Sequence, residues 1–376
     1  MAKAYYYIKT YGCQANKAES ERQAGFFRQQ GLLPEHSWKK AQEIFINTCS
    51  VRKAADDRAL SLLAKMQQEF SQRPAASRPH VVLAGCMSRH KDKLLKKYSI
   101  ISEVRPGDQL VDFALEPIRQ DKTQAFIQIS VGCNSFCTYC VVPHARGREK
   151  SRPMKEILFD AQRAIKAGYS EITLLGQNVN SWGLEKESIV KRKATLPQNH
   201  EQYRPYKGLP PFVKLLRALS ALKEIKKIRF LTANPWDFYP ELIKEIGENK
   251  KIDRYLHLPV QSGSNSVLQR MNRGYTRENY LRLIKDLKAA DPNLLIGTDI
   301  IVGFAGESES EFADTLDLVK QVGFIVAFVA MYSPRPGTLA AKLYVDSVPF
   351  KEKKRRFNLL DKIINRDKLH ERPKIV

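Results

Sequence analysis

With 376 residues the chain is too long for one small core and too short for three ordinary domains, so two domains are expected. A hydrophobic share of 43% is that of a folded soluble protein, and no stretch approaches the roughly 20 uninterrupted apolar residues of a membrane helix. The net charge of +23 makes nucleic acid the leading partner, ahead of mere solubility and of an anionic membrane surface, for which no basic amphipathic helix stands out. The N-terminal MAKAYYYIKTYGC lacks the apolar run of a secretion signal, which points to the cytoplasm.

Residues 1–118 alternate strand and helix. Ala4–Lys9 reads as a strand and Ser20–Gln30 as a helix ended by Gly31. Glu43–Asn47 is a second strand, followed by a helical stretch over Lys53–Phe70. His80–Ala84 is a third, followed by a basic helix through Tyr98. This order predicts an open parallel α/β sheet with right-handed crossovers. Cys13, Cys49 and Cys86 each come directly after one of these strands, 36 and 37 residues apart. In open parallel sheets the ligand site lies beyond the carboxyl ends of the strands, so three thiols at neighbouring ends can converge. One such cysteine alone would read as a buried structural residue; three in the same context read as a shared site.

Residues 119–350 form a second alternating region. Its strands are Ala125–Ser130, Glu171–Leu175, Ile228–Thr232, Tyr255–Val260, Leu294–Ile301 and Ile325–Met331. Helical patterns lie between them, at Pro153–Ala167, Pro211–Leu222, Pro240–Glu248, Arg277–Ala289 and Ser308–Val322. Six βα units are fewer than the eight of a closed barrel, which predicts a partial (βα)6 barrel open along one side. A polar, basic insertion over Leu184–Gly208 reads as a surface loop, either an arm touching nucleic acid or a solvated insertion. Residues 351–376 read as a basic helical tail.

Between the first two strands of the barrel, Cys133, Cys137 and Cys140 are spaced C-x3-C-x2-C in the loop after a strand. Closely spaced thiolates in such a loop hold iron–sulfur clusters, and three ligands on a four-iron cube leave one iron open for a small chelating molecule. A zinc site would close with a fourth ligand, for which His144 is the candidate. The alternating Arg146, Arg148, Lys150 and Arg152 follow directly. They are placed to meet phosphates around an extruded base; a solvated basic turn is the alternative.

The loop, with Tyr139 before its last cysteine, resembles the signature of radical S-adenosylmethionine enzymes. Gly132–Arg152 (GCNSFCTYCVVPHARGREKSR), Leu174–Gly183 (LLGQNVNSWG), Leu256–Leu268 (LHLPVQSGSNSVL) and Tyr332–Thr338 (YSPRPGT) resemble the methylthiotransferases of that superfamily. So do Tyr11–Glu21 (YGCQANKAESE) and Asn47–Val51 (NTCSV), and the wording is closest to the type that acts on isopentenyladenosine beside the tRNA anticodon.

The resemblance implies two [4Fe–4S] clusters, one on Cys133, Cys137 and Cys140 with S-adenosylmethionine, and a sulfur-carrying one on Cys13, Cys49 and Cys86. It implies a tRNA partner carrying N(6)-isopentenyladenosine, an electron donor and a sulfur source, with a monomer as the default. Toward the cofactor it places Tyr139, the Gly176-Gln177-Asn178 turn and Gln261-Ser262. Asp299 reads either as a ribose ligand or as a carboxylate bonded to backbone. Related substrates, a ribosomal protein or threonylcarbamoyl-adenosine, are the near alternatives; a non-catalytic iron–sulfur or zinc RNA-binding protein is the distant one. Members of the family end in a small RNA-gripping TRAM barrel, which is expected to be missing from a chain that stops at Val376.

Overall fold

In the computed structural model, which describes residues 3–50, 53–107, 113–184 and 207–367, the N-terminal sheet follows from simple alternation. Its strands are β1 (Tyr5–Thr10), β2 (Leu33–Pro34), β3 (Glu43–Thr48), β4 (His80–Gly85) and β5 (Glu103–Val104), all parallel in the order β2-β1-β3-β4-β5. In β3, Ile44 and Ile46 face one core with Leu63, Met66 and Phe70 of helix α2 (Lys53–Ser71), while Phe45 faces the other with Tyr6, Phe27 and Val82. Helices on both faces of a parallel sheet are what such period-two strands require.

The first helix, α1 (Gln14–Gln29), starts six residues before the predicted Ser20. Its early turns bury Asn16, Glu19, Ser20, Glu21, Arg22 and Gln23, and this side packs against the barrel strand β6 (Gln124–Gln128) and the linker. No apolar stripe marks those turns, because their contacts are hydrogen bonds. Glu21 O accepts from the Ile118 N–H at 2.8 Å, and Arg22 Nη1 donates to Leu115 O at 2.7 Å. The predicted basic helix through Tyr98 is a 3-10 turn over Cys86–His90 followed by α3 (Lys91–Lys97).

The second region is the expected barrel fragment. Beyond β6 come a short antiparallel pair, β7 (Ser130–Val131) with β8 (Lys150–Ser151), and then β9 (Glu171–Leu175) and β10 (Lys227–Phe230). The last three strands are β11 (Tyr255–His257), β12 (Leu295–Val302) and β13 (Val326–Met331). The wall consists of two parallel three-stranded sheets, β6-β9-β10 and β11-β12-β13, joined by one bridge between Ile228 and Ile252. Between the strands lie α4 (Val142–Arg146), α5 (Met154–Lys166), α6 (Pro211–Ser220), α7 (Pro240–Glu248), α8 (Asn265–Arg270), α9 (Arg277–Ala290) and α10 (Glu309–Val322). The apolar faces of α5, α6, α7, α9 and α10 fill one large core against the outer face of the wall. Capping boxes at Thr276 and Ser308 start α9 and α10 where the sequence places them.

After β13 come α11 (Leu339–Leu343) and α12 (Phe350–Leu360), which runs on into a π-helical turn over Asp361–Arg366; Lys353 of α12 is buried against Tyr332 O and Asp346. Most of the predicted insertion, 185–206, and the end of the predicted tail, 368–376, lie outside the described residues.

Candidate active site

The cysteine loop of the barrel is closed at its neck by backbone. The β7–β8 pair aligns Val131 with Lys150, and Cys133 N donates to Gly147 O at 3.2 Å. Gly132 has φ +80° and a Cβ there would sit 2.2 Å from Arg148 O, so no other residue fits this neck. The far side is pinned to the turn after α8: Thr138 N donates to Met271 O at 3.0 Å and Asn272 Nδ2 to Phe136 O at 3.0 Å.

Each thiol of this loop receives a hydrogen bond. Ser135 N donates to Cys133 Sγ and Val142 N to Cys140 Sγ, both at 3.4 Å, and Arg273 Nη1 donates to Cys137 Sγ at 3.3 Å. Such donors stabilise sulfur in its anionic form. Opposing them, burial together with the sulfurs of Cys137 and Cys133 pushes the Cys140 thiol far above its ordinary range. Three thiolates in this space therefore need a positive group among them. Among the described residues no three His, Cys, Asp or Glu side chains close around a single ion, and His144 is exposed on α4. Three closely spaced thiols, each with an N–H donor, have the chemistry that suits a thiolate-bound iron–sulfur cluster.

The N-terminal cysteines stand at the ends of three adjacent strands, as their spacing predicts. Cys13 precedes α1, Cys49 follows β3, and Cys86 follows β4. Two glycines let the strand ends crowd. Gly12, at φ +143°, has the Asn16 Oδ1 2.6 Å and the Cys49 Cβ 2.8 Å from where its own Cβ would be. Gly85, at φ +84°, has Thr48 O at 2.2 Å. Cys13 Sγ lies 3.3 Å from Asn16 Oδ1, and Asn16 is locked to Asn47 and to Thr48 O. Cys13 is exposed, though the protein packed around it desolvates its thiol and pushes it up, while Arg146 pulls it down.

The two triplets face one another. Helix α4, which follows Cys140, packs on the 3-10 turn that begins with Cys86, and the charge of Cys86 acts on both Cys13 and Cys140.

The other predicted residues are placed as follows. Gln177 accepts the Gly132 N–H at 2.7 Å, so its side chain holds the loop neck. Asn178 Nδ2 donates to Asp237 at 2.6 Å, while its Oδ1 is buried with no hydrogen-bond partner among the described residues, as is Ser130 Oγ, which lies 2.5 Å from where a Cβ of Gly176 would be. Tyr139 is half-buried against Val267, Met271 and Phe304. Gln261, at φ +70°, bonds through its backbone to Asp299 O and Ile301 N. Ser262 is fully buried and turns to Thr315 and the Ser264 N–H.

Asp299 is half-buried and its side chain is paired with a histidine. Its carboxylate meets His257 Nε2 at 3.2 Å, inside the barrel, and His257 Nδ1 meets Tyr255 Oη at 3.1 Å. Gly297 makes room for this pair, since a Cβ there would be 2.1 Å from Tyr255 Oη.

The basic run divides. Arg148 and Lys150 are exposed, and Arg148 stacks on Phe136 with its guanidinium 4.3 Å from the ring centroid. Arg146 and Arg152 are interior. Arg152 shares Asp160 with Arg22 of α1, at 2.9 and 2.5 Å, and lies over the Phe113 ring at 3.8 Å. Arg146 forms a two-pronged ion pair with Glu19 of α1. The sequence reading sent all four toward phosphates; in space the first and the last of the run turn inward, to carboxylates of α1 and α5. Three residues escaped sequence reasoning. Glu19 and Arg273 are charges that read as surface, and His257 is a lone histidine in an apolar stretch.

An open parallel half-barrel with a three-thiol loop at the mouth defines a radical S-adenosylmethionine enzyme, and residues 127–319 match the Radical SAM superfamily. Residues 5–104 match the uncharacterized protein family UPF0004. The fold is shared with the radical S-adenosylmethionine methyltransferase TsrM of Kitasatospora setae, with a TM-score of 0.61, 12% identity, and 90% of this chain and 77% of that one covered.

The tRNA-2-methylthio-N(6)-dimethylallyladenosine synthase of Thermotoga petrophila is 39% identical over 98% of this chain and 84% of its own length. That of Thermoanaerobacter pseudethanolicus is 36% identical over 99% and 81%. The chain belongs to this family of radical enzymes. Membership of the superfamily brings S-adenosylmethionine and a [4Fe–4S] cluster.

Proposed function

We propose that the protein is a radical methylthiotransferase that replaces the ring hydrogen on carbon 2 of N(6)-isopentenyladenosine (the dimethylallyl-adenosine of its relatives' names) in tRNA with a methylthio group. The observation that carries this reading is the packing of the helix after Cys140 on the turn begun by Cys86, which brings the two cysteine triplets close together. A radical generator alone needs only the first triplet; a reaction that also delivers sulfur needs a second holder beside it.

In this reading Cys133, Cys137 and Cys140 hold one [4Fe–4S] cluster, and Cys13, Cys49 and Cys86 hold the second. A cluster held on the first triplet, together with S-adenosylmethionine, would supply one-electron reductive cleavage of the cofactor. The chain's own residues bind and orient. The unpartnered Asn178 Oδ1 and Ser130 Oγ, beside Gly176, are acceptors for the cofactor's ammonium group. Tyr139 presents a half-buried ring, Gln261 a strained backbone, and Asp299 with His257 a polar face inside the barrel.

Arg148 and Lys150 border a cavity of about 170 Å³ whose wall also includes Phe113, Ser151 and Glu156. Their charge suits the phosphates flanking a splayed-out base. The electron donor is a one-electron reductant and the sulfur source a sulfide donor, both external. Among the described residues no helix is long and apolar enough to cross a membrane; a tRNA substrate puts the enzyme of this reading in the cytoplasm.

The test is anaerobic incubation with reductant, S-adenosylmethionine and isopentenylated tRNA, followed by nucleoside mass spectrometry. The expected result is the 2-methylthio nucleoside, with about eight irons per chain after reconstitution. Stoichiometric zinc without iron, or methylthiolation of threonylcarbamoyl-adenosine or a ribosomal protein instead, would overturn it.

A further inference from the structure

Arg146 belongs to the barrel domain, in the last turn of α4, yet its guanidinium ends against α1 of the N-terminal domain. Its side chain is 2% exposed and that of its partner Glu19 is 0% exposed. Both terminal nitrogens donate to the Glu19 carboxylate, Nη2 at 3.1 Å. Glu19 also accepts from Asn47 Nδ2 at 3.3 Å; Asn47 Oδ1 accepts from Asn16 Nδ2 at 2.7 Å; and Asn16 Oδ1 faces Cys13 Sγ at 3.3 Å. A continuous polar chain thus runs from a barrel arginine to a thiol of the N-terminal triplet.

Glu19 compensates Arg146 at contact, but Cys13 and Cys86 also lie within electrostatic reach of the guanidinium. A structural ion pair at a domain junction has no need of thiols for neighbours. In a low-dielectric interior a fixed cation acts on any redox centre beside it, and outer-shell hydrogen-bond partners tune such centres. The linker tightens the arrangement, since a Cβ on Gly107 would lie 2.6 Å from Ala145 O and 3.2 Å from Arg146 Cγ.

We propose that Arg146 is a positioning residue of the N-terminal iron–sulfur centre: through it the barrel domain supplies the positive charge that favours the reduced state of a cluster on Cys13, Cys49 and Cys86, and Glu19 holds and moderates that charge. This rests on the second-cluster reading above. It makes the sulfur-carrying centre electrically complete only when the two domains are docked. Removing the cation disfavours the more negative, reduced cluster, so the midpoint falls; removing the Glu19 charge frees the cation, so the midpoint rises.

The experiment uses the full chain with Cys133, Cys137 and Cys140 all replaced by Ala, reconstituted anaerobically so that only the N-terminal centre remains. Iron is counted, and the midpoint potential is read by mediator titration with electron paramagnetic resonance. Arg146→Gln should keep about four irons and shift the midpoint negative by about tenfold in the oxidised-to-reduced ratio, ~59 mV for a one-electron couple. Glu19→Gln should shift it positive, and Arg146→Lys should return it toward the parent.

The double variant Arg146→Gln with Glu19→Gln removes both buried charges together, which guards against misfolding of the single ones, and should fall between them. Full iron with unchanged midpoints, or shifts of one sign in both single variants, overturns the proposal. Iron lost equally from all variants makes the pair a structural clamp and overturns it too. A parent that takes up no iron overturns the second centre itself, and is recognised before any change at 146 or 19.

Discussion

Arg273 Nη1 donates to Cys137 Sγ at 3.3 Å, and the rest of the guanidinium is immobilised: Nε donates to Tyr275 Oη at 2.9 Å and Nη2 to Pro259 O at 3.2 Å. A buried cation is therefore fixed on the middle thiol of the barrel loop. It withdraws negative charge from that sulfur and ties the loop to the turn after α8.

Arg273→Gln should therefore slow cofactor cleavage more than it disturbs the fold. Hydrogen bonds to charged groups contribute ~1.5–3 kcal/mol, which corresponds to roughly 10- to 100-fold in 5′-deoxyadenosine formation. Chromatography of the nucleoside product against time reads it, with iron content as the control. A variant that holds full iron and cleaves at the parent rate would show the contact to be packing only.

The two triplets should separate by function. Cys137→Ala is expected to abolish 5′-deoxyadenosine formation. Cys49→Ala should keep some cofactor cleavage and yield no methylthio nucleoside. Product from Cys49→Ala, measured by mass spectrometry of digested tRNA, would remove the sulfur-carrying role from the N-terminal triplet.

The strands and the cysteine positions were legible because period-two alternation and strand-end placement are local signals. Ile44, Phe45 and Ile46 declare a two-faced strand by themselves, and Cys49 stands just past it. The start of α1 was not legible. Asn16, Glu19 and Arg22 are buried by polar contacts to Asn47, Arg146 and Asp160, and those partners lie up to 138 residues away. For the same reason Arg146 and Arg152 looked like neighbours of Arg148 and Lys150 on a surface. Charge pattern predicts exposure only when no distant carboxylate claims the side chain.

Acid should weaken the barrel through Glu311. Arg270 holds this carboxylate by two hydrogen bonds, at 2.8 and 2.9 Å, and with help from Ser266 and the Ser308 N–H its pKa is pulled down to about 2. The folded value lies below the unfolded one of about 4.3, so the unfolded state binds more protons between them. The stabilisation is full above that unfolded value and is lost as pH falls toward 2. Urea unfolding of the cluster-free protein at about pH 6 and about pH 3 should show a smaller drop for Arg270→Gln than for the parent, because its Glu311 has less to lose. An equal drop would assign the acid sensitivity elsewhere.

Gly85 offers the sharpest test of how the fold sets the N-terminal site. It ends β4 at φ +84°, immediately before Cys86, and a Cβ there would lie 2.2 Å from Thr48 O and 2.6 Å from Asn47 Oδ1. Both contacts belong to the strand end that carries Cys49, so Gly85→Ala must push the Cys49 and Cys86 ends apart. Gly168 is the control, with φ +90° and nothing within 4 Å of its would-be Cβ. Gly168→Ala carries only the left-handed backbone penalty, about 1–2 kcal/mol; Gly85→Ala adds an overpacking cost of about 1–3 kcal/mol. After reconstitution, Gly168→Ala should hold about eight irons, whereas Gly85→Ala should fall toward four while still forming 5′-deoxyadenosine. Eight irons in Gly85→Ala would mean that the strand ends are looser than their packing indicates.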